Sequence, residues 1–124
     1  MWVLIGALVT SALPLSATAQ TTEADVYVAQ AIIDFDERRY QDALRNLDEA
    51  LKREPDHVEA LYYMGVVNMA LRRPDEAVKF LQRAQQKSPQ DTSIAFQLGL
   101  AHFAEAQRGV PDLFVDTSDL QVRE

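Results

Sequence analysis

The stretch Ala24–Asp91 decides the fold, because it contains one unit of 34 residues written twice. The first copy is ADVYVAQAIIDFDERRYQDALRNLDEALKREPDH at Ala24–His57, and the second is VEALYYMGVVNMALRRPDEAVKFLQRAQQKSPQD at Val58–Asp91. A fixed period of this length is typical of a stacked array of repeats and not of a single globular core. The positions that are identical in both copies are Arg38/Arg72, Arg39/Arg73, Ala43/Ala77, Leu47/Leu81, Ala50/Ala84 and Pro55/Pro89.

Both units resemble the tetratricopeptide repeat (TPR). This family places large residues at positions 4, 7 and 24, small residues at 8, 20 and 27, and proline at 32. The first unit supplies Tyr27, Ala31, Ala43, Leu47, Ala50 and Pro55, with Tyr40 at position 17. The second supplies Leu61, Met64, Gly65, Ala77, Leu81, Ala84 and Pro89. The departures from the family pattern are Gln30, Asp34, Asn68 and Pro74. The resemblance implies an all-α fold of antiparallel helix pairs, stacked as a short right-handed superhelix.

The spacing has a mechanical meaning. Small residues at positions 8 and 20 allow two antiparallel helices to approach closely, because the interaxial distance follows the size of the side chains at the crossing. We therefore expect Gly65 and Ala77 to face each other. Proline at position 32 ends the second helix, since it lacks an N–H and disfavours helix in the preceding residue.

Signals for helix starts and stops divide the stretch into five helices. Thr22 with Asp25, and Asp56 with Glu59, resemble capping boxes, and Pro74 suits a first helical turn. Lys and Arg residues occupy the last turns of the second and fourth segments, where cations are favoured. The predicted helices are 23–37, 40–53, 57–71, 74–87 and 91–107.

The repeat boundaries predict two full units, 24–57 and 58–91, and the first helix of a third unit at 92–108. Leu98, Gly99 and Phe103 match Met64, Gly65 and Met69, but the pattern is lost after Gln107. Gly109-Val-Pro-Asp stops the helix, and 109–124 is expected to be an irregular tail. One alternative is that the chain is a truncated fragment of a longer array, which self-associates through its unpaired last helix.

The N-terminal segment 1–19 has no charged residue, and Ala17-Thr18-Ala19 fits the cleavage site of a secretory signal peptide. The expected location is therefore exported, either periplasmic or secreted. No Lys or Arg precedes the apolar run, so an uncleaved N-terminal membrane anchor is the alternative.

Composition excludes several functions. The net charge of −7 argues against binding to nucleic acid or to anionic lipid. The chain has no cysteine, which rules out disulfides and thiolate metal sites.

His57 and His102 are the two histidines, and neither has a second ligand at helical spacing. No phosphate loop or nucleophile motif is present. We expect no cofactor, no metal, no small-molecule substrate and no catalytic residue.

The TPR resemblance implies that the first helix of each unit lines a concave groove through positions 2, 5, 9 and 12. The predicted partner-binding groove consists of Val28, Ile32, Phe35, Tyr62, Val66, Met69, Phe96, Leu100 and Phe103, with Asp25 and Glu59 at its rim. Such a groove suits an amphipathic helix or an extended apolar segment. Several members at positions 9 and 12 could instead pack between helices. A clamp for a C-terminal carboxylate is not expected, because Val28 and Ile32 occupy the positions where that subtype has Lys and Asn.

The leading hypothesis is an exported, non-enzymatic scaffold or assembly module that binds a protein or peptide partner. The resemblance to TPR proteins of the bacterial cell envelope supports it. Self-association through the last helix, giving a weak homo-oligomer, is the structural alternative. A third hypothesis, an enzyme that uses His102 with nearby acids, has the least support because no catalytic motif accompanies that residue.

Overall fold

The computed structural model describes residues 20–109, which contain five α-helices and no strand. The helices are α1 Glu23–Asp36, α2 Tyr40–Arg53, α3 Val58–Ala70, α4 Pro74–Lys87 and α5 Thr92–Arg108. Each predicted boundary agrees with these to within one residue. The proposed signal segment and the tail after Gly109 lie outside the described residues.

The five helices form two layers. Helix α1 packs against α2 and α3 against α4, while α2–α3 and α4–α5 contacts join successive pairs. Helix α3 also touches α1 and α5, whereas the backbones of α2 and α4 stay apart. The layer of α1, α3 and α5 is therefore continuous and the layer of α2 and α4 is spread apart, as in a curved solenoid. The predicted all-α repeat fold is confirmed.

The small residues predicted at the helix crossings are buried, which explains the spacing of the repeat. Four alanines of α2 and α4 are fully buried: Ala43, Ala50, Ala77 and Ala84. A Cβ added at Gly65 would lie 2.4 Å from Cγ of Leu81, which is itself fully buried. The three atoms nearest to this added Cβ all belong to Leu81, one turn beyond the predicted partner, Ala77. Gly65 lies against the α4 leucine one turn further on, because the large position 24 projects into the space that a glycine leaves.

In both helix-pair turns, the arginine at the same repeat position adopts a left-handed backbone conformation. Arg38 has φ 61° and Arg72 has φ 59°. The next residue in each case, Arg39 or Arg73, donates its N–H to the carbonyl of Asp34 or Asn68 at 2.7 and 2.8 Å. This is the Schellman arrangement, in which glycine is the usual residue at the left-handed position. Two arginines therefore occupy a backbone conformation that favours glycine.

The helix starts confirm one predicted capping box and correct the other. Thr22 and Asp25 exchange backbone-to-side-chain hydrogen bonds at the start of α1. At α3 the cap is His57 and not Asp56, because Nδ1 of His57 accepts the N–H of Ala60 at 3.2 Å. Nε2 of the same ring lies 2.7 Å from Oδ1 of Asp25, and the ring is only 10% exposed. His57 therefore joins the first turns of α1 and α3 and is not an ordinary surface residue.

The two polar departures from the family pattern at position 11 are buried and hydrogen-bonded. Asp34 is 3% exposed and accepts hydrogen bonds from Arg39 at 2.6 Å and from Asn46 at 2.7 Å. Asn68 is 4% exposed and donates to the Met64 carbonyl at 2.7 Å. Both side chains fit the core because these hydrogen bonds offset the loss of water.

Candidate functional site

The candidate site is the inner face, meaning the surface of α1, α3 and α5 that points away from α2 and α4. The continuous contact of α3 with α1 and α5 makes this surface one unit across three helices. On each helix it is formed by residues three or four apart, which share one side. This is the geometry in which a single extended or helical segment could touch all three helices.

The predicted groove residues differ widely in exposure. Val28 is 1% exposed and belongs to the core between the first helix pair and α3, so its assignment to the groove is wrong. It is buried because α2 and α3 both close over α1 at that level. The half-buried members are Ile32, Phe35, Tyr62, Val66 and Met69. The exposed members are Phe96 at 64%, Leu100 at 41% and Phe103 at 64%.

The half-buried members also serve packing. Ile32 and Phe35 lie against the core of the first pair, and the Phe35 ring is 5.7 Å from that of Tyr40. Tyr62 and Met69 pack against the second core cluster, at the α4–α5 contact. These side chains offer one side to the core and the other to solvent. The accessible apolar surface is therefore concentrated at the α5 end of the inner face.

The predicted rim residues have different environments. Oδ1 of Asp25 is held by His57, and this hydrogen bond is the main cause that lowers the pKa of the Asp25 carboxyl. Glu59 is exposed and has no ion-pair partner within residues 20–109. Glu59 is thus free to meet a ligand, whereas Asp25 is already used to join α1 to α3.

A shallow cavity of about 380 Å³ lies where the first turns of α3 and α5 meet. Its wall includes two predicted site residues, Glu59 and Tyr62, and one that sequence reasoning missed, Tyr63. The rings of Tyr62 and Tyr63 meet edge to face at 5.3 Å. The remaining lining residues are Val58, Asp91, Ser93 and Ile94. The signal that could have identified Tyr63 is its place beside Tyr62 on a helix that has no other aromatic residue.

The profile of the tetratricopeptide repeat family matches residues 28–92, about half of the chain. The chain belongs to the tetratricopeptide repeat family. It is similar to the photosystem I assembly protein Ycf3 of Synechococcus sp. (strain CC9902), at 31% identity over 96 residues. The aligned region covers 75% of this chain and 54% of that protein, so the chain spans about half the length of this relative.

Helix α5 carries a second surface next to the inner face, which we call the open face: Ala95, Phe96, Gly99 and Phe103. Phe96 and Phe103 lie where the two surfaces meet, between Gly99 and Leu100 on the helix. In the two preceding TPR helix pairs, the second helix covers the equivalent side of α1 or α3. The contrast is clearest at the two equivalent glycines. Gly65 is buried against Leu81, whereas an added Cβ at Gly99 would meet no atom within 4 Å. Within the described chain, α5 therefore keeps the shape of a first TPR helix without the helix that would cover it.

Residues 20–109 contain no group of three or more His, Cys, Asp or Glu side chains that could hold a metal ion. Within the same range, no helix combines the length and apolarity needed to span a bilayer. His102 is exposed on α5, with Nδ1 3.4 Å from Oε2 of Glu105. No third polar group joins this pair among the described residues, so the arrangement lacks the positioned base and nucleophile of a hydrolytic site.

Proposed function

We propose that this TPR protein is a non-enzymatic assembly or scaffolding module that holds a protein segment on its inner face. The observation that carries the proposal is the exposure of Phe96 and Phe103 beside half-buried Tyr62, Val66 and Met69. Exposed aromatic side chains that adjoin partly buried apolar ones are a common feature of partner-binding surfaces. Similarity to an assembly protein over about half of that protein's length supports the same class of function.

Affinity capture by the full-length chain, followed by mass spectrometry, tests this proposal. Leu100→Glu places a charge in the apolar part of the inner face and should remove the captured partner. Val26→Glu is the matched control, because Val26 is 59% exposed on α1 at the repeat position of Ala60, which in α3 is buried and does not belong to the inner face. Equal capture by both variants would exclude the inner face as the binding surface.

We propose further that the protein acts outside the cytoplasm, in the cell envelope or as a secreted protein. The support is the uncharged segment 1–19 with its small-residue cleavage site. Cleavage after Ala19 would remove Trp2, the single tryptophan of the chain. Intact mass and tyrosine-only fluorescence of the exported protein test this location. Retention of Trp2 in a membrane fraction would favour an N-terminal anchor instead.

A second candidate function is self-association through the open face of α5, and the unfilled space at Gly99 is the observation that favours it. Phe96 and Phe103 lie on either side of Gly99. In an antiparallel dimer, Phe96 of one copy would therefore lie beside Phe103 of the other. These side chains expose on the order of 100 Å² each, well below what a standard interface buries. The expected product is a weak, concentration-dependent dimer.

The absence of cysteine makes the register of such a dimer testable. Gly99→Cys should form a disulfide-linked dimer under mild oxidation, since this position would lie near the two-fold axis. Ile33→Cys is the control, because Ile33 is 49% exposed on α1 and remote from α5. A monomer at all concentrations in light scattering, with no Gly99→Cys cross-link, would exclude this second function.

A further inference from the structure

The Lys and Arg residues of the described helices are concentrated in one layer, that of α2 and α4. Helices α1 and α3 contain no Lys or Arg, and α5 contains only Arg108, its last residue. The outer helices, meaning α2 and α4, carry six cationic side chains: Arg45, Lys52, Arg53, Lys79, Arg83 and Lys87. The other described arginines, at 38, 39, 72 and 73, lie in the two turns. The inner face between those turns therefore has no cation of its own.

Carboxylates of the outer helices are neutralised locally. Lys52 bridges Asp48 and Glu49, each at 3.0 Å, and Lys79 pairs with Glu76 at 2.8 Å. The inner face differs in this respect. Neither Asp36 of α1 nor Glu59 of α3 has an ion-pair partner within residues 20–109. Both therefore keep an unpaired negative charge, whereas every carboxylate of α2 and α4 lies in an ion pair.

Tyr63 and Glu59 line the same cavity at the first turns of α3 and α5. Burial raises the pKa of its phenol above the ordinary value of 10.0, and the negative charges of Glu59 and Asp36 add to the shift. Tyr63 therefore lies beside negative charge in a concave part of the inner face. Its ring packs edge to face with Tyr62, so aromatic surface is available at the same place.

We propose that the inner face binds a Lys or Arg side chain of its partner segment in the cavity lined by Glu59, Tyr62 and Tyr63. This inference rests on the proposed partner-binding function and adds the chemistry of the partner. A cation there would gain from the Glu59 carboxylate and from the aromatic surface of two phenols. Apolar residues on one side of the cation would reach Val66, Met69 and Leu100. The predicted ligand is thus a segment in which a basic residue adjoins apolar ones.

An acidic partner segment is disfavoured by the same features. The first turns of α3 and α5 present partial positive charge, but Glu59 and Asp91 stand at those turns. Oδ1 of Asp91 already accepts the N–H of Ser93 at 2.8 Å. An approaching carboxylate would meet full negative charges before it reached a backbone donor. Repulsion of this kind excludes wrong partners as effectively as attraction selects right ones.

Screening of the full-length chain against a displayed library of random 12-residue peptides tests the inference. Selected peptides should be enriched in Lys or Arg next to apolar residues. Glu59→Lys should weaken the selected peptides about 10-fold, because it replaces an attraction by a repulsion. Glu54→Lys changes the net charge equally at another carboxylate without an ion pair, away from the inner face, and should change affinity by less than about 2-fold.

The possible outcomes separate this inference from the proposed function. Peptides that depend on Leu100 but show no basic enrichment would leave the binding function in place and overturn the cation site. Equal effects of Glu59→Lys and Glu54→Lys would also overturn it, because only general charge would then matter. If no selected peptide responded to Leu100→Glu or Glu59→Lys, both the inner-face function and the cation site would be wrong.

Discussion

Gly65→Ala adds one methyl group at the closest approach of α3 and α4. The new Cβ would lie 2.4, 2.7 and 2.9 Å from Cγ and the two methyl carbons of Leu81. Carbon atoms in contact normally lie about 3.5–4.0 Å apart, so Leu81 or the whole helix must move by roughly 1 Å. Leu81 is fully buried and its Cγ is close to the backbone, which leaves the side chain little room to turn away.

Overpacking of this kind costs about 1–3 kcal/mol. Alanine is also the better helix former by about 1 kcal/mol, and this gain partly hides the clash. Gly99→Ala is the matched control, because Gly99 holds the equivalent position in α5 with no atom within 4 Å. It should gain the helix propensity without the clash. The difference between the two variants therefore isolates the steric cost, about 1–3 kcal/mol.

Thermal or urea unfolding followed by circular dichroism measures the difference. A gap of 1 kcal/mol corresponds to about 4–8 °C in Tm for a domain of this size, so Gly99→Ala should melt at least about 4 °C above Gly65→Ala. Gly65→Leu should fall further below both. Equal stabilisation by the two alanine variants would refute the close contact of α3 with Leu81.

Other predictions concern caps, turns and ionisation. Asp91→Ala should cost about 1 kcal/mol in the free energy of unfolding, because the N-cap of α5 is lost. Arg72→Gly should raise stability by up to about 1 kcal/mol, since glycine relieves the left-handed turn. The carboxyl pKa values of Asp25 and Asp34 are lowered by hydrogen bonds from His57 and Arg39, respectively. Their contribution to stability should be present above pH 3.8 and be lost as pH falls further, as acid titration by circular dichroism would show. The pKa of Tyr63 is raised by burial, so its contribution should hold below pH 10 and decline as pH rises above it.

Helix number, length and order could be predicted because the repeat is encoded by residue size at fixed spacing. Small residues such as Ala43 and Ala77 fall at positions where helices must approach, and Pro74 marks a helix start without ambiguity. The backbone conformation of the turns could not be predicted from the sequence. A left-handed residue is usually signalled by glycine, and the sequence has arginine at both places, so local chemistry gave no sign of the Schellman turns.

The site could be predicted only in part, because exposure depends on neighbours that sequence spacing does not reveal. Val28 and Phe96 occupy the same position in their units. The first is buried by α2 and α3, and the second is open because no described helix covers that side of α5. The cap at α3 could not be predicted because an imidazole is not among the common caps, and the His57–Asp25 hydrogen bond joins the last residue of the first unit to the first turn of the same unit.

The separation of α2 from α4 gives the array a direction of easy bending. Tighter curling would press α1, α3 and α5 together, and side chains already in contact resist compression. Straightening would bring α2 and α4 toward each other across the open groove that Leu44 and Phe80 line, at the cost of loosening the contacts among α1, α3 and α5. The array should therefore resist an increase in its curvature more strongly than a decrease. A bulky partner could widen the inner face by flattening the array, whereas a thin one could not draw it closed.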